Sequence, residues 1–412
     1  MNDNNFNYDE IKPFTLHVEE SVLNDLKERL SKTRWPDQLN SPINQNWLYG
    51  AELNATKEWA DYWLNNFNWR ENESKFNNMG SQFLTKTKDG RILHFLHQRS
   101  TNVNAKPIII SHGWPGTIYE FHKIIPLLTN DFHIVCPSIP GYGFSEAFHV
   151  RNGNTVATAR DYHDLMIKLG YKTYYAQGGD WGSSITKTLA VLFSDHCIAM
   201  HTNMPRGIEP DGFDENALTP VEIEGMRKTK LFTQVGQAYQ KIQGQKPQTL
   251  SYGLNDSPVG LMAWILEKFH SWTWNKMELL TKDEILTIIT IYWVTSTIGS
   301  SIRYYFENGS GAPTMPGVST ERQELRNVKV KVPSACVHFP EEISQLPLSW
   351  LHEAYNMIRY NRFDVGGHFA AFETPEILAN DIKEFFLVDV PNYYNNARNV
   401  RRRNDSNSSS KL

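Results

Sequence analysis

Cysteine is scarce in this chain: three residues in 412, Cys136, Cys197 and Cys336, each in or beside an apolar, strand-like run. An odd number without a secretion signal predicts reduced, buried thiols in a reducing compartment and excludes a disulfide-stapled scaffold. A dominant charge is also lacking. The formal net charge is −4 at pH 7 and no basic stripe runs through the body of the chain, which argues against a nucleic-acid partner. No apolar run approaches the roughly 18 residues needed to span a bilayer, and Met1-Asn2-Asp3-Asn4-Asn5 has neither the charged nor the apolar region of a secretion signal. A soluble intracellular protein with no membrane anchor is therefore expected. There is no internal repeat. The length suits one large α/β domain with additions, or two ordinary domains.

What is present is an alternation of strand-like and helix-like runs. Strands are predicted at Pro107 to Ser111, Phe132 to Cys136, Tyr174 to Gln177 and Ile198 to Thr202, with helices at Tyr119 to Leu128, Thr155 to Leu169 and Ser183 to Phe193. Such alternation requires a mostly parallel sheet with helices on both faces. Residues 1–90 read as an arm packed on the core, with helices at Glu19 to Thr33 and Asn54 to Phe67, before a strand at Ile92 to His97. The core then runs over 91–205. Residues 206–325 are helix-biased and rich in aromatics, including Trp264, Phe269, Trp272, Trp274, Tyr292 and Trp293, as a helical lid would be. A lid of this composition implies an apolar substrate between lid and sheet, although most of its aromatics will form the lid's own core. The sheet pattern resumes over 326–391, with a strand at Val330 to Phe339 and a helix at Glu376 to Phe386. Residues 392–412, rich in Asn, Arg and Ser, read as a disordered tail.

The chemistry is concentrated at Gly178-Gly179-Asp180-Trp181-Gly182, between a β-rich stretch and a helix. Small residues flanking one central side chain make a nucleophile elbow, in which glycines permit the strained backbone that lifts that side chain above the sheet. Asp180 could instead be an ordinary helix cap, but the flanking glycines and the β-rich lead-in favour the elbow. A carboxylate attacking an acyl carbon would make an anhydride and gain nothing. Attack on saturated carbon makes an ester that water can cut, so Asp180 points to an epoxide or a carbon–halogen bond.

Three features converge on Asp180. His112-Gly113-Trp114-Pro115-Gly116 follows a buried-type strand, where α/β-hydrolases place half of an oxyanion hole; the Trp114 and Trp181 N–H groups are the expected donors. Pro115 lacks an N–H, and a cis bond there would shape the loop. Gly366-Gly367-His368 lies far downstream, in the chain order nucleophile, acid, histidine, and makes His368 the expected base. The acid that orients it belongs after the strand Val330 to Phe339, where Glu341 and Glu342 are both candidates. Epoxide opening also leaves an alkoxide that needs a proton or strong hydrogen bonds, which a phenol can donate. Tyr239, Tyr252, Tyr292, Tyr304 and Tyr305 are available in the lid, and spacing does not choose among them.

Together these motifs resemble the microsomal-type epoxide hydrolases, including insect juvenile hormone hydrolases and soluble fungal relatives, over nearly the whole chain. Arg34-Trp35-Pro36 in the arm, His112 to Gly116, Pro140 to Gly143, Gly178 to Ser183, Leu254 to Phe269 and His368 to Ala371 all carry the resemblance. It implies the α/β-hydrolase fold and hydrolysis of an apolar epoxide to a vicinal diol, with no metal or organic cofactor. By motif position it assigns the ring-opening phenols to Tyr239 and Tyr305, beside Trp114 and Trp181 in the substrate site. Its Phe-Pro-x pattern selects Glu342 over Glu341. Microsomal members carry a hydrophobic N-terminal anchor, and here none is read. A haloalkane or haloacid dehalogenase would use the same aspartate, and a non-catalytic receptor on a hydrolase scaffold would show a degraded triad. A homodimer is compatible with this reading. In a eukaryote, Ser410-Lys411-Leu412 would be read by the peroxisomal import receptor; otherwise a cytoplasmic location is expected.

Overall fold

The computed structural model describes residues 6–39, 47–310, 317–397 and 399. Ser410-Lys411-Leu412 and most of the segment read as a disordered tail lie outside the described residues.

Among the described residues nine strands form a single sheet: β1 (Ile11–Phe14), β2 (Gln82–Lys86), β3 (Ile92–Gln98), β4 (Lys106–Ser111), β5 (Phe132–Pro137), β6 (Tyr174–Gly178), β7 (Cys197–Thr202), β8 (Pro333–His338) and β9 (Asn356–Arg362). Their order is β1-β2-β3-β5-β4-β6-β7-β8-β9. The first three pair antiparallel, and every pairing from β5 through β9 is parallel. Ile108, Ile109, Ile134, Val135, Ala176, Ala199 and Val337 are completely buried, as strands covered on both faces require. The chain moves from β4 to β5 on one side and later to β6 on the other. The crevice beyond the carboxyl ends of β4 and β6 is therefore a topological switch point, where sheets of this kind bind ligands.

The segment read as an arm supplies β1 and β2 and thus extends the sheet. It also carries a helix at Trp69–Asn77 that the sequence did not reveal. Its helices reach the inserted helices: Trp63 Nε1 donates to Thr290 Oγ1 at 3.0 Å, Tyr62 donates to Asp283 at 2.9 Å, and Arg29 pairs with Asp256 at 2.9 Å. The predicted helix Tyr119 to Leu128 is broken into a 3-10 turn, Ile118–Phe121, and a short helix, Ile124–Leu128. Between β7 and β8 stand helices from Pro220–Leu231 to Thr320–Arg326, and two of them, Lys282–Thr295 and Pro258–Trp272, are largely buried. Among the described residues no single helix is long and apolar enough to cross a membrane.

Candidate active site

Strand β6 ends at Gly178 and the helix Trp181–Leu192 begins three residues later, so Asp180 occupies the sharp turn between them. Its φ of 49° and ψ of −122° are strained for a residue with a Cβ, as a nucleophile elbow demands. The turn can lie this close to β4 because its neighbours have no side chains. A Cβ at Gly182 would collide with the Ser111 carbonyl, and one at Gly113 would collide with Asp180 itself. The Trp114–Pro115 peptide is cis, and the Trp114 N–H donates to Asp180 Oδ1 at 2.8 Å. Trp181 N–H is the first of its helix, hence one of the donors a helix leaves unpaired, and among the described residues it makes no bond to the Asp180 carboxylate.

His368 and Glu342 are 5% and 3% exposed. The loop after β8 and the loop holding the histidine are joined by backbone pairing: Glu341 N–H donates to the Gly366 carbonyl at 3.2 Å. Gly366 takes a φ of +107°, which favours glycine, and a Cβ at Gly367 would press on the Trp272 carbonyl. That carbonyl accepts the His368 N–H at 2.9 Å, tying the histidine to the end of the inserted helix Pro258–Trp272. His368 Nδ1 lies 2.8 Å from Glu342 Oε1. A carboxylate can only accept, so Nδ1 carries the hydrogen and Nε2 is turned to Asp180 Oδ2, 3.6 Å away. Glu341 points elsewhere and pairs with Lys228 at 3.3 Å, so geometry makes the choice that spacing left open.

Burial disfavours the imidazolium, but the Glu342 charge and hydrogen bond, helped by Asp180 and Glu120, outweigh it and raise His368 to about 9. His112 is different. Burial lowers it to about 4, and its ring is occupied by the Ile139 N–H at 3.0 Å and the Gly113 carbonyl at 3.1 Å, so it shapes the loop.

Of the five tyrosines, Tyr239 and Tyr305 line one cavity of about 340 Å³ with Asp180 and Trp181. Their rings lie 5.9 Å apart, and Trp114 stacks on Tyr239 at 5.4 Å and meets Tyr305 edge-on at 5.7 Å. Burial holds both phenols protonated far above their usual range. Tyr292 instead donates to the Gly116 carbonyl at 2.9 Å, Tyr304 bonds Thr158 at 2.9 Å, and Tyr252 is exposed.

Two buried carboxyls escaped the sequence reading. Glu373 accepts the N–H groups of Trp274 at 2.7 Å and Phe369 at 3.0 Å, bracing the histidine loop, and burial raises it to about 7. Among the described residues Glu120 Oε1 has no hydrogen-bond partner, and Glu120 lines a second space of about 20 Å³ with Asp180 and His368, large enough for one water. Burial raises Glu120 to about 8, opposed by His368 and assisted by Asp180. The signal for Glu120 was a single acid just after the Trp-Pro-Gly loop in an otherwise apolar run. Among the described residues no three His, Cys, Asp or Glu side chains gather as a metal-binding group.

Known proteins share this plan. Residues 11–121 match the family model described as "Epoxide hydrolase N terminus", and residues 106–261 match "alpha/beta hydrolase fold". Epoxide hydrolase 1 of Sus scrofa is 38% identical, with 91% of this chain and 88% of that protein aligned. Juvenile hormone epoxide hydrolase of Bombyx mori is 34% identical over 90% and 85% of the two chains. Among solved structures, the Aspergillus niger epoxide hydrolase superposes with a TM-score of 0.83 at 30% identity, covering 92% of this chain and 97% of that one. The crystal structure of the Bombyx mori enzyme gives 0.81 at 31%, covering 91% and 93%. With similarity of this extent on both sequence and fold, the chain belongs to the epoxide hydrolases, enzymes of the α/β-hydrolase fold.

Proposed function

We propose that this epoxide hydrolase works through a covalent ester on Asp180. An Asp180 oxygen attacks one carbon of the epoxide, the carbon–oxygen bond breaks, and Tyr239 and Tyr305 donate to the oxygen that leaves the ring. The apolar part of the substrate lies against Trp181, Phe232 and Met204, which share the cavity with Asp180. The product of this step is a hydroxyalkyl ester.

Water in the small space beside Glu120 then gives a proton to His368 Nε2 and adds to the carboxyl carbon of Asp180. Glu342 holds the imidazole tautomer and stabilises the imidazolium. The oxyanion is met by the N–H groups of Trp114 and Trp181; its collapse breaks the ester bond, the proton of the added hydroxyl passes to the leaving alkoxide to release the diol, the imidazolium proton returns to the phenolate left by ring opening, and one water oxygen stays in the Asp180 carboxylate. Esterification also removes a negative charge that raises His368, so its proton affinity falls when it must act as a base.

The observation that carries this reading is the position of Asp180 in a strained elbow, 3.6 Å from a glutamate-bound imidazole and in one cavity with two protonated phenols. Paired phenols also support an epoxide over a carbon–halogen bond. Turnover in ¹⁸O-labelled water, followed by mass spectrometry of the peptide containing Asp180, is expected to find label in that carboxylate. Unlabelled peptide after many turnovers would exclude the ester.

A further inference from the structure

The ester chemistry occupies one end of the large cavity and leaves the other end without a task. Lys187, Arg206, Arg322 and Arg326 line that cavity, and among the described residues Asp180 is the only carboxylate on its wall. Lys187 lies on the helix that follows the nucleophile, seven residues beyond Asp180, which at 1.5 Å per residue is about 10 Å along the helix axis. It is 5% exposed, and its ammonium donates to the Arg326 carbonyl at 2.9 Å. Arg322 Nε donates to Asn308 Oδ1 at 3.3 Å. Among the described residues no carboxylate forms an ion pair with any of the four, and residues 311–316, next in the chain after the cavity-lining Ser310, include no acid.

Two part-buried arginines elsewhere in the core have carboxylates beside them. Arg91 is matched by Asp89 and Asp161, and Arg359 by Asp381, Glu384 and Asp389. In the cavity, burial and then the neighbouring cations Arg326 and Arg206 lower Arg322 to about 10, and burial followed by Arg326 lowers Lys187 to about 8. Cations that repel one another around a shared space lose stability until an anion enters.

We propose that this end of the cavity binds a carboxylate carried on the same molecule as the epoxide, so that the favoured substrates are epoxy acids with the charge about 10 Å from the ring. The inference rests on the ester chemistry at Asp180, since it assigns the far end of that same substrate. It also answers an electrostatic difficulty: an anionic substrate must approach an anionic nucleophile, and four cations against one carboxylate make the cavity attractive to it. The cations hold the head and leave the ring to Asp180.

The test compares kcat/KM for a medium-chain epoxy fatty acid, its methyl ester and styrene oxide. The wild-type enzyme is expected to prefer the acid over the ester by about 10-fold or more, since a charge-assisted hydrogen bond is worth about 1.5–3 kcal/mol. Arg322→Leu and Arg206→Gln should each cut the acid-to-ester ratio by about 10-fold, mainly through KM, while Arg322→Lys keeps most of it. The saturated fatty acid should compete with styrene oxide in the wild type and lose potency in Arg322→Leu. Turnover of styrene oxide and ester with no preference for the acid would overturn the carboxylate site and leave the ester mechanism standing. Failure to open any of the three would overturn both.

Discussion

Among the described residues two imidazole–carboxylate pairs are buried in the core, and one of them faces Asp180. His368 lies 2.8 Å from Glu342, and His201 lies 2.9 Å from Asp381. Both pairs are buried, so neither distance nor burial distinguishes them. The surroundings of the second ring nitrogen do. His368 Nε2 faces Asp180 and a water-sized space, whereas among the described residues His201 Nδ1 has no hydrogen-bond partner and its ring lies 6.2 and 6.4 Å from those of Phe385 and Phe386. The acids differ too. Asp381 also takes Arg359 Nε at 2.9 Å and a hydrogen bond from Asn361, which ties β7 and β9 to the helix Pro375–Glu384. Among the described residues the Glu342 carboxylate accepts only the Ile343 N–H and His368, so its charge acts on the imidazole. On the proposed mechanism, such a pair is a structural clamp where its free nitrogen meets only apolar rings and a base where that nitrogen meets a reactant.

That contrast can be broken by substitution. The largest effect is expected from His368→Gln, which should lower turnover by about 10²–10⁴ and let the Asp180 ester accumulate, seen as a mass adduct on the quenched enzyme. Retained turnover would show that the environment of Nε2 is not what matters. Asp381→Asn should act on the fold instead, costing about 3–5 kcal/mol in denaturant unfolding while each folded molecule keeps its kcat. The pH dependence has a defined sign. Burial works against the Asp381 charge, but hydrogen bonds from His201, Asn361 and Arg359 hold the carboxyl at about 2, below its ordinary 3.8. Its stabilisation is therefore complete above that ordinary value and lost as pH falls toward 2, so the acid limb of the stability curve should flatten in the variant. A parallel loss of kcat in the folded fraction would erase the distinction between the two pairs.

The smallest effect sharpens the comparison. Glu120→Gln keeps the shape of the small space but alters how it holds water. It should slow ester breakdown by about 10-fold and leave the burst of ester formation in single-turnover kinetics. Equal slowing of both steps would place Glu120 in the framework and not beside the water.

Some of this was legible in the chain. Asp180 and His368 could be singled out because an elbow and a left-handed glycine turn impose local backbone demands that only certain residues meet, and the central strands were visible as aliphatic runs. β1, β2 and β9 were not visible. They lie at or near the sheet's edges, where polar side chains are tolerated and the apolar pattern is weak; β9 reads Asn-Met-Ile-Arg-Tyr-Asn-Arg and is half-buried throughout. Adjacent Glu341 and Glu342 have the same local signature, and only the pairing of their loop with Gly366 sends one inward and the other to Lys228. Most of the lid's aromatics were expected to form its own core, as Phe269 and Tyr292 do, whereas the arginines from three separate chain positions that line the cavity beside Phe232, Tyr239 and Met204 left no mark in the local sequence pattern.

By itself, the order of residues pointed to Asp180 as the candidate nucleophile and to saturated carbon as its target, because both expectations follow from a few neighbouring side chains and their backbone limits. Tertiary structure alone decided which acid orients the imidazole, which two of five tyrosines reach the nucleophile's cavity and where four cations meet. Those groups come from loops and helices far apart in the chain, and no local periodicity records a distance that exists only after the sheet has brought them together.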